Sequence, residues 1–161
     1  MPLTELPFNL PGKVYRSPMP FSYFDRGNDT FKMMQSQGVS HVVLLTDDEE
    51  ALESSGLDLR AFYGEAGMEV LQQGIVDFST PTDTKAFSDA VDEALDLAKN
   101  GKNVTIHCYA GIGRTGMFAA LMARRELGME GDEAIAWVRK YVPDAVQTPG
   151  QRQVVVENAG K

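Results

Sequence analysis

The stretch that decides the fold is His107-Cys108-Tyr109-Ala110-Gly111-Ile112-Gly113-Arg114-Thr115-Gly116. It follows the apolar run Val104-Thr105-Ile106 and precedes a second apolar run, Met117 to Ala123. This order predicts a buried strand, a tight loop and a helix. Glycine lets a main chain take positive φ and come close to a ligand. Successive N–H groups can then converge at the helix N-terminus and bind a tetrahedral oxyanion.

Cys108, the only cysteine of the chain, lies at the edge of this loop. A thiol that faces N–H dipoles, a helix N-terminus and the guanidinium of Arg114 should ionise more readily than a free thiol. We expect the thiolate to attack a phosphate ester and form a phosphocysteine intermediate. Arg114 presents a planar fork that can hold two phosphate oxygens, which a lysine cannot copy. An inert buried cysteine is the alternative for Cys108, and the glycine loop disfavours it. A solvent-facing arginine is the alternative for Arg114, and it is disfavoured because a cation at the positive end of a helix is unfavourable unless an anion joins it.

These residues resemble the His-Cys-x5-Arg-Thr-Gly signature of the cysteine-based protein phosphatases, most closely of the small dual-specificity type. The resemblance covers roughly residues 14 to 156. It implies that His107 orders the loop from behind and that the Thr115 hydroxyl donates to the thiolate, although a threonine at a helix start also satisfies main-chain groups. The phosphate-binding positions that it implies are Tyr109, Ala110, Gly111, Ile112, Gly113 and Arg114.

A general acid must protonate the leaving group, and neither Cys108 nor Arg114 can do so. Asp77 is the candidate; it lies in Gly74-Ile75-Val76-Asp77-Phe78-Ser79-Thr80-Pro81, 31 residues before Cys108. The resembled phosphatases carry an acid loop of Pro-Ile-x-Asp-Phe type at about this spacing, and Gly74 stands here in place of its proline. A plain turn aspartate is the other interpretation of Asp77. Asp83 is the fallback acid, although it fits the start of the following helix better.

Two weaker resemblances add supporting residues. The segment Val146 to Gln151 resembles the family loop in which a glutamine positions the hydrolytic water; Gln151 is the match and Gln147 lies nearby. An ordinary glutamine at a helix start fits Gln151 equally well. The segment Tyr15-Arg16-Ser17 resembles the first strand of several small phosphatases. Arg16 therefore lies beside the active site or braces a loop, and the bracing role is favoured.

Strands that alternate with helices predict an α/β fold: one domain over residues 1–161, with a mostly parallel sheet of about four to five strands flanked by helices. Residues 1–20 hold five of the eight prolines and are expected to form an irregular arm with one short strand. Thr46 to Glu49 is expected to form a capping box at a helix start. Thr82 is expected to cap a helix that runs to about Lys99.

The composition limits the binding partners and the cellular compartment that we expect for the protein. The chain has 161 residues and a formal net charge of -8. Nucleic acid and anionic membrane are therefore not expected as partners, because both require a basic surface. A single cysteine excludes an internal disulfide and a multi-cysteine metal site, so we expect no cofactor and no metal, in a reducing, cytoplasmic setting. The N-terminus lacks the pattern of a signal peptide, and no apolar run is long enough to span a membrane.

Four functions compete on these observations. The favoured one is a phosphomonoester hydrolase for phosphotyrosine in proteins, in a shallow cleft that would also admit phosphoserine and phosphothreonine. A phytase-like phosphatase for inositol phosphates is the alternative, although the loop positions between Cys108 and Arg114 carry no charge. A phosphate-binding pseudoenzyme would normally lack Cys108, Arg114 or the acid. Sulfur transfer or arsenate reduction can use a similar loop, but arsenate reduction usually needs further cysteines.

Overall fold

The centre of the molecule is a five-stranded sheet with the strand order β1-β2-β5-β3-β4. The computed structural model describes residues 2–158. The strands are β1 (Thr4–Leu6), β2 (Val14–Ser17), β3 (Val39–Leu44), β4 (Glu69–Gln72) and β5 (Asn103–His107). β1 pairs antiparallel with β2, and all other neighbours are parallel. The predicted α/β class with a mostly parallel sheet is confirmed.

Helices cover both faces of the sheet. Within residues 2–158 they are α1 (Thr30–Ser36), α2 (Asp48–Ser55), α3 (Leu59–Glu65), α4 (Thr84–Lys99), α5 (Gly113–Leu127), α6 (Gly131–Arg139) and α7 (Pro149–Glu157). None of these helices is long and apolar enough to cross a bilayer. The same residues contain no group of three or more His, Cys, Asp or Glu side chains arranged to hold a metal ion.

The alternation of side chains along the strands divides the core in two. In β3, Val42 and Leu44 join the cluster under α1 and α3, whereas Val43 joins the cluster under α4 to α7. This follows from the two-residue period of a strand that is buried on both faces. α5 is buried from Gly113 to Ala123 and lies within the larger cluster, as its apolar sequence predicts.

Three local expectations need correction. The N-terminal arm is not irregular throughout, because Thr4–Leu6 forms an edge strand on β2. Asp47, not Thr46, is the N-cap of α2, and its carboxylate accepts a hydrogen bond from the Glu50 N–H. Asp83, not Thr82, caps α4 in the same way. In both cases the aspartate that follows the threonine provides the cap, and aspartate is among the strongest N-cap residues.

The topology brings several loops to one edge of the sheet. β2, β3, β4 and β5 run parallel, so their carboxyl ends lie together. In open α/β sheets this edge is where ligands bind. The cysteine loop follows β5 and α2 follows β3, while the segment with Asp77 follows β4.

Candidate active site

The loop from Cys108 to Arg114, called the signature loop below, turns its carbonyl groups outward. The Cys108 carbonyl accepts from the His107 ring, and the Tyr109 carbonyl accepts from Met19 N–H. The carbonyls of the next two residues accept from the Arg16 guanidinium at 3.0–3.1 Å. Within residues 2–158, no main-chain N–H from Tyr109 to Arg114 donates to a protein acceptor. The loop therefore presents a set of unpaired N–H donors at the start of α5, as an anion-binding nest requires.

Gly111 makes this loop shape possible. Its φ is +79°, in the left-handed region that residues with a side chain rarely adopt. A Cβ at this position would also collide with the Ser17 carbonyl and the Arg16 guanidinium. The glycine thus lets the loop pack directly onto the end of β2, where Arg16 reaches the loop carbonyls.

The sulfur of Cys108 lies at the base of the signature loop. The residue is buried, with 3% of its surface exposed. The Thr115 hydroxyl, in the first turn of α5, donates a hydrogen bond to Sγ at 3.2 Å. A hydroxyl in this place stabilises negative charge on the sulfur.

Arg114 is buried, with only 1% of its side chain exposed, and it is held in a fixed orientation. Nη1 and Nη2 donate to the two carboxylate oxygens of Glu50 at 2.8 and 2.9 Å, and Nη1 also donates to the Ile75 carbonyl at 2.7 Å. Nε is buried and has no partner within residues 2–158. Burial would lower the pKa of this guanidinium, but the hydrogen bonds to Glu50 and the charges of Cys108, Glu50 and Asp77 raise its pKa overall.

Glu50 was not singled out by the sequence. The run Asp47-Asp48-Glu49-Glu50 is typical of a helix N-terminus, and Asp47 does cap α2. The same first turn directs Glu50 towards Arg114, which is 64 residues later in the chain. The position of Glu50 shortly after a buried parallel strand could have indicated its role, because ligands bind at the carboxyl edge of such a sheet.

Asp77 lies on the segment Gly74 to Pro81, called the acid loop below. Its Oδ1 is 3.1 Å from Nη2 of Arg114, and 43% of its side chain is exposed. The acid loop is tied to the sheet where Ile75 N–H donates to the Leu45 carbonyl. The carboxylate of Asp83 instead accepts from Ala86 N–H at 2.9 Å as a helix cap. The structure therefore brings Asp77 to the signature loop and gives Asp83 a structural contact.

His107 lies behind the signature loop and is completely buried. Its Nδ1 is 3.0 Å from the Cys108 carbonyl, and its Nε2 is 2.8 Å from the Tyr63 hydroxyl. Burial lowers the pKa of His107 to about 4, and the pKa of Tyr63 is raised well above its ordinary value for the same reason. The neutral ring therefore donates from Nδ1 to the carbonyl and accepts at Nε2 from the hydroxyl.

Gln151 is buried, and both ends of its side-chain amide are in use. Oε1 accepts from Gln147 N–H at 2.9 Å, and Nε2 donates to the Ser79 carbonyl in the acid loop at 3.1 Å. Gln147 is exposed, and its side-chain oxygen lies against Gly113 of the signature loop. Gln151 thus connects the start of α7 with the acid loop, whereas Gln147 reaches the loop surface.

Arg16 contacts the signature loop through its guanidinium. Nε and Nη2 hold the carbonyls of Ala110 and Gly111. Burial lowers the pKa of this guanidinium, and the charge of Cys108 acts in the opposite direction. The bracing contact and the position beside the site, which the sequence left as alternatives, occur together.

Comparisons with known proteins identify the chain as a phosphatase relative. Residues 22–125 match the family model "Tc-R-P: Polymorphic toxin system, DSP-PTPase phosphatase". The human dual specificity protein phosphatase CDC14C is 34% identical over 96 residues, which cover 59% of this chain and 20% of that protein. The chain therefore matches about a fifth of the length of this curated relative.

Solved structures share the architecture. The Tk-PTP structure in its active form aligns with a TM-score of 0.76 and 28% identity, over 94% of this chain and 93% of that one. A structure of the kinase associated phosphatase aligns with a TM-score of 0.85 and 21% identity, over 96% and 92% of the two chains, which shows the shared fold. The resemblance that the loop motif predicts is confirmed, and the chain belongs to the DSP-PTPase family of dual-specificity cysteine phosphatases.

Proposed function

We propose that this protein hydrolyses phosphate monoesters of proteins, phosphotyrosine above all, through a phosphocysteine intermediate. One observation carries the proposal: the unpaired N–H donors of the signature loop and the unpaired Nε of Arg114 belong to the same loop as a buried cysteine. A phosphoryl group has enough oxygens to accept from all of these donors, which otherwise remain unsatisfied in a buried site.

The attack would begin at Cys108 Sγ. The phosphoryl oxygens bind the loop N–H groups and the Arg114 guanidinium, which places the phosphorus in front of the sulfur. Glu50 fixes the guanidinium through two hydrogen bonds, so these donors are already oriented when charge spreads over the phosphoryl oxygens in the transition state. The Sγ–P bond forms as the P–O bond to the leaving group breaks. The Thr115 hydroxyl later stabilises the departing thiolate when water attacks the intermediate.

Asp77 would protonate the leaving oxygen and later accept a proton from the attacking water. It is the acid-loop carboxylate at the signature loop, and its side chain is half-exposed, so a substrate can reach it. A phosphate bound in the loop competes with Asp77 for Nη2 of Arg114. Substrate binding would therefore release the carboxylate from the arginine at the stage where it must face the leaving group.

The remaining residues would support these steps. His107 and Arg16 hold the loop carbonyls outward, which keeps the N–H groups directed at the phosphate. Gln151 holds the acid loop through Ser79, and Gln147 is the better placed glutamine for the hydrolytic water, because its side chain is exposed beside Gly113. We propose no cofactor and no metal ion for this mechanism.

The test is a turnover panel of peptides with phosphotyrosine, phosphoserine or phosphothreonine, alongside inositol hexakisphosphate, measured by phosphate release. The proposal predicts the highest kcat/KM on phosphotyrosine and no turnover by Cys108→Ser, which should still bind the peptide. A preference for inositol hexakisphosphate would instead support the alternative function, hydrolysis of inositol phosphates. Substantial hydrolysis by Cys108→Ser would contradict the assignment of the nucleophile.

A further inference from the structure

A cavity lies between α6 and α7, outside the site described above. Its volume is about 520 Å³, within the range of about 300–1,000 Å³ that is typical of ligand pockets. It is lined by Asp132, Ile135, Ala136, Arg139, Lys140 and Arg152. We call it the helix pocket. None of these residues has a role in the reaction proposed for Cys108, so the cavity is available to another ligand.

The charge of the helix pocket is opposite to that of the whole chain. The chain carries a formal net charge of -8, yet the pocket is lined by three cationic side chains and a single carboxylate. That carboxylate, Asp132, accepts two hydrogen bonds from Arg152 at 2.9 and 2.7 Å, so these two charges offset each other. Within residues 2–158, Arg139 and Lys140 form no ion pair. Two positive charges therefore remain for a ligand.

Arg139 keeps a free donor for such a ligand. Its Nε and Nη2 donate to the carbonyls of Ala145 and Val146 at 2.8 and 2.9 Å, and its Nη1 makes no hydrogen bond within the described chain. Lys140, the next residue, adds an ammonium with three donors. Guanidinium and ammonium groups together are suited to bind phosphate oxygens. Because the pocket holds two unpaired cations and is larger than one phosphate, it fits linked phosphate groups better than a single carboxylate.

Arg139 also connects the helix pocket with the active site. The two carbonyls that it holds belong to the residues directly before Gln147, the glutamine proposed above for the hydrolytic water. Val146 has a φ of +63°, a left-handed conformation that a β-branched residue adopts only where its surroundings enforce it. The Gln147 side chain lies in turn against Gly113 of the signature loop. Arg139 therefore helps to fix the turn that presents Gln147.

We infer that the helix pocket binds an anion of linked phosphate groups, and that this anion speeds hydrolysis of the phosphocysteine intermediate. The anion bonds to Nη1 of Arg139, so both hydrogen bonds to the turn carbonyls are kept. It orients a side chain that is otherwise exposed to water, and the turn before Gln147 is held more firmly as a result. The effect on turnover rests on the proposed function, whereas the binding does not. Free polyphosphate and nucleotides share this chemistry, and the test distinguishes them.

Calorimetric titration measures the binding, with tripolyphosphate, ATP without Mg²⁺, and adenosine as probes. The proteins are wild type, Lys140→Ala and the matched control Lys102→Ala, which removes the same charge from an exposed residue before β5 that does not line the pocket. The signature loop is unchanged in all three proteins, so a difference between them reports on the helix pocket.

Lys140→Ala should bind tripolyphosphate or ATP about fivefold more weakly than wild type and Lys102→Ala, the upper range for an exposed ion pair. Tighter binding of either probe supports the inference and identifies free polyphosphate or nucleotide as the source of the phosphate groups. Equal affinities in Lys140→Ala and Lys102→Ala, or adenosine binding as tightly as ATP, would overturn the inference.

Quenched-flow kinetics with a saturating activated aryl phosphate measures the effect on the reaction. The burst of product reports formation of the phosphocysteine, and the steady state reports its hydrolysis. In wild type the bound probe should raise the hydrolysis rate about fivefold, the lower range for coupling between two sites, and leave the burst rate unchanged. Arg139→Lys keeps the charge but lacks the planar fork that holds two carbonyls. It should therefore bind the probe and show no acceleration.

A hydrolysis rate that the probe does not raise, or the same acceleration in Arg139→Lys as in wild type, would overturn the inference. The proposed function would still be supported in that case, because the burst of product does not depend on the helix pocket. Absence of any burst or turnover with the aryl phosphate would instead contradict the proposed function, while the titration would still decide whether the pocket binds the anion.

Discussion

Acid should destabilise the protein through His107. Burial lowers the pKa of this imidazole from 6.5 to about 4. Between these pH values the unfolded chain binds a proton at this histidine and the folded chain does not. The stability that depends on the neutral ring is therefore complete above pH 6.5 and is lost as the pH falls to about 4. At about 1.4 kcal/mol for each pH unit, the loss approaches 3 kcal/mol, a large share of the roughly 5–15 kcal/mol that stabilises a typical domain.

Urea unfolding of wild type and His107→Gln at several pH values between 7 and 4 measures this loss. Carboxylates titrate in the same range in both proteins, so the difference in unfolding free energy between the two isolates the histidine. That difference should change by about 3 kcal/mol across the range, with wild type losing more stability in acid.

NMR gives an independent measurement that does not require His107→Gln to fold. The chain has two histidines, so His41→Gln leaves His107 as the only one. Its ring signals should keep their positions from pH 7 to pH 5. A titration midpoint near 6.5, or a free-energy difference that does not depend on pH, would refute the account of a buried neutral ring.

Three substitutions and one treatment test other parts of the site. Glu50→Gln removes the charge that orients Arg114, and we expect kcat/KM to fall by about tenfold or more. The free energy of unfolding should fall by about 1–2 kcal/mol, because the ion pair is partly exposed. Unchanged kinetics would contradict this. Asp77→Asn should slow alkyl phosphates about 10²-fold or more and activated aryl phosphates far less. Its control, Asp83→Asn, should behave as wild type because asparagine caps a helix as well as aspartate. If Asp77→Asn slowed alkyl and aryl phosphates equally, the general acid would have to be another residue. Gly111→Ala should abolish phosphate binding in a calorimetric titration, and retained affinity would exclude the proposed loop geometry. Hydrogen peroxide should inactivate the enzyme, with recovery by an added thiol, since the chain has no second cysteine for an internal disulfide; activity that persists after oxidation would contradict a reactive Cys108.

The sequence predicted the parts of the site that local pattern controls. Cys108, Arg114 and Thr115 lie together because one strand, loop and helix carry all three, and their order along the chain specifies that unit. Asp77 was also predicted, because the acid loop follows a strand at a family-like spacing. Both features depend on short segments, for which residue type and period are informative.

The remaining features depend on contacts between distant segments. Glu50 reaches Arg114 across 64 residues of chain, and Arg16 reaches Gly111 across 95. The acidic residues around Glu50 are typical of a helix start, so the local sequence gave no indication that Glu50 also contacts Arg114. β1 has only three residues and pairs at the sheet edge, which leaves too little pattern to recognise. Packing of the sheet, rather than any motif, produces these contacts.

The most direct measurement is to trap the covalent intermediate. The Asp77→Asn protein, in which hydrolysis of the intermediate should be slow, is mixed with an activated aryl phosphate, quenched in acid within milliseconds and digested for mass spectrometry. Because Cys108 is the only cysteine, a thiophosphate can form at one position alone. The account predicts one added phosphoryl group on the peptide that contains Cys108, and none in the matched Cys108→Ser protein. A phosphoryl group on any other residue, or turnover with no labelled peptide at any quench time, would contradict it.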